Sequence, residues 1–319
     1  MKTISPAVAA LLALFTLSAC SSGDKPAAAQ CRDVQHELGS ACVPASPQRV
    51  VVLDPSTTLP TLLDLGVPVA GAMGTFANKA YPSYLDAAKA GTQVGVSGAV
   101  DVEKIAALKP DLIIGWKTEI EPLQDKLKPL APTVALPYAI YDGNWRPVVQ
   151  KIGDVVGARA KIDEQLAALD RKQAEVKAAV APTGEGPTVT RVDGYRGQTV
   201  TYQWDCSWFG DVLKGAGLRQ PPAQKAACTN SDVRSVVAMI PAEGFAKLDA
   251  DSILVYQQSV EATAVDPIAA LAANPLWAGL GAVKAGKVRT VGDAWGVGAG
   301  IKAANLILDD IKQFFPPKP

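Results

Sequence analysis

Histidine is almost absent from this chain of 319 residues, which contains only His36. Zinc and manganese sites draw on several histidine and carboxylate ligands, so one histidine argues against a metal-binding function. An enzyme is disfavoured as well, because no second histidine can serve as a base and no Gly-x-Ser-x-Gly motif occurs. The Asp and Glu residues form no paired motif, although folding could still bring two carboxylates together.

An excess of charge of either sign is also absent. The 31 Lys and Arg residues equal the 31 Asp and Glu residues, so nothing points to a nucleic-acid partner. No segment beyond the first 20 residues approaches the 18 or so apolar residues of a membrane-spanning helix, and we expect the body of the chain to be soluble. High glycine and proline with abundant alanine and valine is typical of a globular α/β protein.

The first residues have the features of an export signal. Met1-Lys2 is a short basic start, and Pro6 to Ala19 is an apolar run that is too short to span a membrane. The run ends in Leu17-Ser18-Ala19-Cys20, which resembles the lipobox of bacterial lipoproteins, where cleavage precedes a lipidated cysteine. We therefore expect a signal peptide over 1–19 and lipid on Cys20, which anchors the protein to the outer face of the cell membrane. A plain secretory signal is the alternative.

Five cysteines are an odd number for an exported protein, and lipidation of Cys20 would leave four. Cys31 and Cys42 bracket a short polar loop, and Cys206 and Cys228 bracket another. Because an oxidising compartment permits local pairs, we predict the disulfides Cys31–Cys42 and Cys206–Cys228. The other connectivities would join the flexible tether, 20–46, to the second half of the chain.

The longest helical pattern runs from about Arg159 to Ala181. Its core-facing positions recur at spacings of three and four: Ile162, Leu166, Leu169, Gln173, Val176 and Val180. About 22 residues give a rod of roughly 33 Å, the width of a small domain. Since strand-rich sequence lies on both sides, we interpret 158–182 as a rigid spine between two lobes, 47–157 and 183–319. An ordinary surface helix of a single domain is the alternative.

Strand alternates with helix throughout the first lobe. The apolar runs at 50–53, 69–72, 112–115 and 133–136 are typical of strands buried on both faces. Thr57 or Thr58 is expected to cap the helix that extends to Leu65. The second lobe repeats the pattern, with strands near 188–192, 198–202, 252–256 and 288–291. The predicted fold class is therefore α/β, with two Rossmann-like lobes that contain central parallel sheets joined by one long rigid helix.

Aromatic residues follow the predicted strands of the first lobe. Ligands of such sheets bind beyond the carboxyl ends of the strands, so we predict ligand contacts at four positions: Trp116, Tyr138, Tyr141 and Trp145. The alternative for each aromatic side chain is that it folds back onto the core.

The open end of the second lobe carries a similar set. We predict ligand contacts at Arg191, Tyr195, Arg196, Tyr202, Trp204, Trp208 and Trp295. Arginine donates a planar fork of hydrogen bonds to anionic oxygens, and Trp and Tyr offer flat faces to bulky ligands. The alternative for Arg196 is a solvated charge on a turn. No catalytic or metal-ligating residue and no cofactor is predicted.

Two specific motifs remain. One is Glu-Lys-Ile-Ala-Ala-Leu-Lys-Pro-Asp-Leu-Ile at 103–113, and the other is Pro-Leu-Trp at 275–277, which is followed by Ala-Val-Lys-x-Gly-x-Val at 282–288. With these motifs the chain resembles the helical-backbone substrate-binding proteins of bacterial ABC importers for ferric siderophores, haem and cobalamin. The resemblance covers about residues 47 to 315. It implies lobes that close little on the ligand. It also implies capture of a ferric siderophore, with the iron held by the ligand, and delivery to a membrane permease.

Docking to the permease in that family uses a surface glutamate on each lobe. Glu243 occupies the expected place on the second lobe. No glutamate occurs at the equivalent place on the first lobe, where Asp64 is the candidate substitute. We expect a monomer whose partners are the siderophore, the permease and, through Cys20, the membrane.

Three other interpretations remain from the sequence. Haem or cobalamin could be the ligand of the same fold, and a non-transport lipoprotein could present a surface to a protein partner. The glycines of 296–300 suggest a nucleotide site, but only one helix follows them, so a tight loop is the better interpretation. If Arg191 contacts an anionic ferric chelate, replacing it with alanine should weaken that chelate far more than neutral cobalamin.

Overall fold

The computed structural model describes residues 31–75, 81–138, 145–195, 198–202, 204, 207–225, 237–256, 271–296 and 298–316.

The first element of the fold is a hairpin of two disulfide-linked strands. Strands β1 (Cys31–His36) and β2 (Gly39–Pro44) pair as an antiparallel hairpin. The Cys31–Cys42 disulfide joins them, with Cα atoms 5.3 Å apart, which confirms the predicted pairing. The sequence had indicated only a polar loop here, because Val34 and Val43 are the only core residues of the hairpin. Cys206 and Cys228 lie outside the described residues.

Buried apolar runs build the first sheet, as predicted. Its strands are β3 (Val50–Leu53), β4 (Val69–Gly74), β5 (Thr92–Val96), β6 (Ala99–Val100), β7 (Leu112–Trp116) and β8 (Thr133–Leu136). They lie in the order β6-β5-β4-β3-β7-β8, and all neighbours are parallel except the short edge strand β6. Strands β5 and β6 were not predicted, because neither contains a continuous apolar run; β6 is the edge strand and β5 lies next to it.

Five helices occur among the described residues of this first lobe. They are α1 (Thr58–Leu65), α2 (Val102–Ala107), α3 (Lys117–Ile120), α4 (Gln124–Leu127) and α5 (Trp145–Val156), with 3-10 turns at Ala87–Ala90 and Glu121–Leu123. A 3-10 turn leads into the short helix α4, and Pro129, which lacks the N–H of a continuing helix, follows α4 closely.

The predicted spine is the 22-residue helix α6 (Arg159–Val180). Five of its six stripe residues are buried, and Val180 is partly buried. Gln173 is the polar member of the stripe: its amide donates to the Val212 carbonyl at 3.3 Å, and its Oε1 accepts from Arg146 at 3.1 Å. Within the described residues no helix is both long enough and apolar enough to cross a membrane.

The second lobe contains a mixed sheet. Its strands are β9 (Val189–Tyr195), β10 (Gln198–Tyr202), β11 (Val237–Ile240), β12 (Ser252–Tyr256) and β13 (Val288–Val291), in the order β11-β10-β9-β12-β13. Strands β9, β12 and β13 are parallel, whereas β10 is antiparallel to both of its neighbours. The central sheets are therefore rich in parallel pairs, but the second sheet is not purely parallel. Its edge strand β11 was missed.

The described helices of the second lobe are mostly short. They are α7 (Trp208–Gly215), α8 (Pro275–Ala278), α9 (Gly281–Lys284), α10 (Asp293–Gly296) and α11 (Ile301–Phe314), with 3-10 turns at Pro222–Gln224 and Ala242–Leu248. The last helix begins at Ile301, and Gly298 and Gly300 belong to the loop before it.

One apolar core runs through both lobes. It includes side chains of β3 and β7 from the first sheet, the stripe of α6, and residues of α7, β12 and α11. Two smaller clusters cover the other faces of the sheets, one in each lobe. Helix α6 packs against α5 of the first lobe and against α7 and α11 of the second. The predicted α/β fold with two lobes and a long joining helix is therefore confirmed; the predicted limits of the lobes stay a prediction.

Candidate ligand-binding site

The carboxyl ends of the two sheets meet at a junction between the lobes. Ser56 follows β3, and its carbonyl accepts a hydrogen bond of 3.1 Å from the Ala299 amide, which precedes α11. Asp293 follows β13, and its Oδ2 accepts a bond of 2.7 Å from the amide of Ser83 in the first lobe. Strand carboxyl ends are where α/β sheets bind ligands, so this junction and the strand ends beside it form the candidate site.

Asp54 already occupies the amino end of helix α1. Its carboxylate accepts from the amides of Ser56, Thr57 and Thr58 at 2.9–3.0 Å and from the Thr58 hydroxyl at 2.7 Å. Burial raises the pKa of Asp54, and these donors oppose that rise. Thr57 is the N-cap residue, as predicted, but its side chain makes no capping bond, since Asp54 takes that role. An anionic ligand would have to compete with this carboxylate for the helix amides.

Trp116 and Tyr138 form an aromatic pair in the first lobe. Their rings meet edge to face with centroids 4.3 Å apart, at the ends of β7 and β8. Trp116 is 2 % exposed, and its indole N–H is buried without a hydrogen-bond partner in the described part of the chain. Tyr138 is partly buried. The pair packs with the smaller core cluster of the first lobe, apart from the other predicted tryptophans.

Arg191 lies inside the second lobe, at 2 % exposure. Its guanidinium donates to Asp193 Oδ2 at 2.7 Å. The guanidinium carbon lies 4.8 Å from the Phe209 ring centre and 5.4 Å from that of Tyr256, distances at which cation–π attraction operates. Its charge is thus matched by a carboxylate on the same face of β9, two residues further along the strand.

Trp145 and Trp208 meet across the lobes. Their ring centres are 6.3 Å apart and nearly perpendicular, and both side chains are buried. The Trp145 indole donates to Asp211 Oδ2 at 3.1 Å. Arg146 pairs with the same carboxylate at 3.4 Å and with Asp170 on α6 at 2.8 Å. This group joins α5, α6 and α7 at the spine.

Trp204 and Trp295 are also core side chains, 1 % and 0 % exposed. The Trp295 indole donates to Asp310 on α11 at 2.7 Å. The backbone amide of Trp204 donates to Gln220 Oε1 at 3.2 Å, while its indole N–H has no partner within the described residues. These two tryptophans share the large core with Trp145 and Trp208.

Several predicted site residues cannot be located. Tyr141, Arg196 and Cys20 lie outside the described residues, and Tyr195 and Tyr202 are described only as backbone positions of β9 and β10. The candidate docking residues differ from each other. Glu243 is exposed, whereas Asp64 is about one-third exposed and pairs with Lys302 on α11 at 3.1 Å.

Sequence reasoning missed the polar residues at the junction. Asp54 directly follows a buried strand and precedes Ser and Thr residues, a pattern that would have indicated a capping carboxylate. Asp193 lies two residues after Arg191, so the pair could have been predicted from strand alternation. Asp293 and Ser83 are 210 positions apart, and no local signal links them.

One further surface feature lies away from the strand carboxyl ends. A depression of about 410 Å³ at the amino ends of β9 and β12 is lined by Thr188, Asp251 and Lys287 among others. No group of three or more His, Cys, Asp or Glu side chains that could hold a metal ion occurs in the described portion of the chain.

Comparison with known proteins identifies close architecture and related sequences. The sequence profile of the periplasmic binding protein family matches residues 50–294. A probable siderophore-binding lipoprotein of Bacillus subtilis is 32% identical over 324 residues, covering 98% of each chain. The Fe(3+) dicitrate-binding periplasmic protein of Escherichia coli is 28% identical and covers 90% of this chain and 91% of its own. The crystal structure of Staphylococcus aureus SirA with staphyloferrin B superposes with a TM-score of 0.74 at 22% identity, over 89% of this chain and 98% of that one.

Proposed function

This chain belongs to the periplasmic binding protein family, and we propose that it is the substrate-binding protein of an ABC importer that captures a ferric siderophore between its lobes. The observation that carries the proposal is the 32% identity with a probable siderophore-binding lipoprotein along nearly the whole of both chains. The family is one of substrate-binding proteins rather than of enzymes. We place the ligand at the junction where the carboxyl ends of the two sheets meet, the usual position of ligands in α/β folds.

We propose direct ligand contact for residues that end or follow strands of the two sheets. Tyr138 is the described candidate in the first lobe. Tyr141, Tyr195, Arg196 and Tyr202 are the further candidates, on the predictions made from sequence. Tyrosine faces would stack on the flat parts of a chelate, and the Arg196 guanidinium would pair with its anionic oxygens.

The buried tryptophans have a different proposed role. Trp116, Trp145, Trp204, Trp208 and Trp295 are at most 2 % exposed, so in this conformation they support the site from behind. Trp116 is the best placed of them to reach a ligand, because it ends β7 and its buried indole N–H lacks a partner in the described residues.

Location and partners follow from the same proposal. We propose that residues 1–19 are removed on export, that Cys20 carries the lipid, and that the monomeric protein lies on the outer face of the cell membrane. Glu243 would dock with the permease. Asp64 would have to exchange Lys302 for a permease arginine, which makes it the weaker docking candidate.

A fluorescence titration tests the function. All six tryptophans are buried, so a ferric chelate would quench them by energy transfer without touching any of them. The protein is titrated with a neutral ferric trihydroxamate, an anionic ferric tris-catecholate, ferric citrate, haem and cobalamin, with correction for ligand absorbance. We expect saturable quenching by at least one ferric chelate at micromolar or lower concentration.

Matched ligands and variants sharpen the result. The iron-free chelators are the controls for non-specific quenching. Tyr138→Ala should weaken the bound chelate about tenfold, the typical effect of removing a stacked aromatic contact of about 1.4 kcal/mol. Saturable quenching by haem or cobalamin alone would mean that the ligand is not a ferric siderophore. Absence of saturable quenching by every ligand would contradict the proposed function.

A further inference from the structure

Helix α6 is not the only connection between the lobes. At the carboxyl ends of β3 and β13, the Ala299 amide donates to the Ser56 carbonyl and the Ser83 amide donates to the Asp293 carboxylate. Lys302 on α11 pairs with Asp64 on α1 nearby, at 3.1 Å. These contacts lie at the junction where the ligand is proposed to bind, some distance along the chain from α6.

Asp293 is the most deeply buried charged residue of this set, at 2 % exposure. Its Oδ2 accepts from the Ser83 amide at 2.7 Å, and its Oδ1 accepts from the Tyr256 hydroxyl at 3.2 Å. Ser83 itself is an exposed residue of the first lobe. Hydrogen bonds to a buried carboxylate are about twice as strong as those between neutral groups, so this contact is a strong tie between the lobes.

Tyr256 extends the tie into the second sheet. Burial and the nearby Asp293 raise the pKa of Tyr256, so its hydroxyl keeps the proton that it donates. The Tyr256 ring lies 5.4 Å from the guanidinium carbon of Arg191, which is bound to Asp193. A continuous polar network, made of Asp193, Arg191, Tyr256, Asp293 and Ser83, therefore runs from β9 to the first lobe.

We propose that Asp293 is a positioning residue that holds the two lobes at the separation the ligand requires, and that Arg191 acts within this network instead of contacting the ligand. The expected effect on ligand affinity rests on the proposed function. The contact between Asp293 and Ser83 does not depend on it. Loss of the tie would reduce the fraction of protein that is preorganised for binding. The affinity for every chelate would then fall by the same factor, whatever its charge.

Amide hydrogen exchange at Ser83 tests the tie without any ligand. We expect Asp293→Ala to speed exchange of the Ser83 amide at least about tenfold, because the amide loses its buried acceptor. Asp293→Asn keeps an acceptor oxygen and should restore most of the protection. Asp310→Asn is the matched control, since Asp310 binds Trp295 within the second lobe, and it should leave Ser83 unchanged. Unchanged Ser83 exchange in Asp293→Ala would overturn the proposal.

Ligand charge tests the role of Arg191. Asp193→Asn removes the carboxylate that neutralises Arg191 and keeps the shape of the side chain. We expect that Asp193→Asn does not raise the affinity for ferric citrate or a tris-catecholate more than the affinity for a neutral trihydroxamate. Asp293→Ala should lower the affinity for each chelate that binds by a similar factor. A gain in affinity for the anionic chelates alone would show that Arg191 contacts the ligand, and it would overturn the role proposed for Arg191. If the unmodified protein binds no chelate, the proposed function fails, while the Ser83 result still decides the tie.

Discussion

At the scale of single residues, Gly296 sets how closely α10 approaches Tyr256. A Cβ atom at this position would overlap the Tyr256 ring, and the ring cannot move freely because its hydroxyl is bound to Asp293. Gly298 is similarly crowded by the Tyr84 hydroxyl and by Ala303. Gly296 and Gly298 therefore serve close packing at the lobe junction, in agreement with the tight loop predicted from sequence.

Replacing Gly296 with alanine should destabilise the protein by about 1–3 kcal/mol, the usual cost of overpacking a rigid site. The measurement is the urea midpoint of unfolding. Gly292→Ala is the control, because nothing lies within 4 Å of a Cβ there. Equal midpoints for the two variants would mean that α10 can move away from Tyr256 at little cost.

The sequence pattern correctly placed these aromatic residues at the ends of strands or at the start of helices. It did not predict which elements pack around them. Trp145, Trp208 and Trp295 follow strands or open helices, as the pattern indicated, yet each is covered by elements that are distant in the chain. Whether a side chain at a strand end faces a cleft or the core depends on such packing, and no local period encodes it. Asp193 was the exception, since strand alternation alone places it beside Arg191.

At the scale of elements, the β1–β2 hairpin covers the outer edge of the first sheet. The Glu37 amide donates to the Ala135 carbonyl at 3.1 Å, and His36 Nδ1 accepts from the amides of Ala135, at 3.4 Å, and Leu38, at 3.2 Å. These contacts satisfy backbone groups of β8 that an edge strand would otherwise expose. The single histidine of the chain therefore has a structural role, in which its unprotonated nitrogen is the acceptor.

Acid should weaken this contact. Burial lowers the pKa of His36 below its ordinary value of 6.5, nearby Lys128 and Lys151 lower it further, and Glu37 opposes them. The folded state therefore takes up this proton at lower pH than the unfolded chain does. The contribution of His36 to the free energy of unfolding is full above about pH 6.5 and falls as the pH drops from there towards the folded-state pKa.

Urea midpoints between pH 7.5 and pH 5 measure this effect. His36→Gln cannot be protonated in that range, so its stability should decline less with acid than that of the unmodified protein. The same decline in both proteins would show that other groups cause it.

The elements that could be predicted were those with a strong period. Helix α6 and the buried strands β3, β7 and β12 have one, and the sequence located them closely. Strands β5, β6 and β11 and the hairpin lie at sheet edges or outside the two main sheets, with few buried side chains. The pairs β1–β2 and β5–β6 form across tight turns, so what these strands lack is a buried apolar pattern and not a nearby partner.

At the scale of the whole molecule, the two lobes share one core and a second set of contacts at the junction. A ligand would therefore meet a protein whose lobes are already nearly fixed. For the roughly 290 residues from Cys31 to the end of the chain, the expected radius of gyration is about 19 Å. Binding of a chelate should change it by less than about 1 Å, as in other preorganised complexes.

Small-angle X-ray scattering with and without saturating chelate makes this measurement. Asp293→Ala should show a larger difference between the two states, because its lobes are held by fewer contacts. A contraction of several ångströms in the unmodified protein would indicate hinge closure instead.

The existence of two lobes could be inferred from the repeated strand–helix order on both sides of α6. Their relative placement could not, since it depends on contacts such as Ser83–Asp293 and Ser56–Ala299, each more than 200 positions apart. Neither the composition nor the hydrophobic periodicity of the sequence indicates such pairs.

The hairpin disulfide also determines how the folded protein bears mechanical load. A pull on the chain before Cys31 enters the hairpin at its first strand, where it would unzip β1 from β2 one residue at a time. The Cys31–Cys42 bond passes that force across to β2 instead. The load then reaches the first lobe partly through Arg32, which donates to the Asp154 and Val155 carbonyls at the end of α5. A protein held at a surface by its amino-terminal tether would thus resist tension by shearing many contacts together, which requires more force than peeling them in turn.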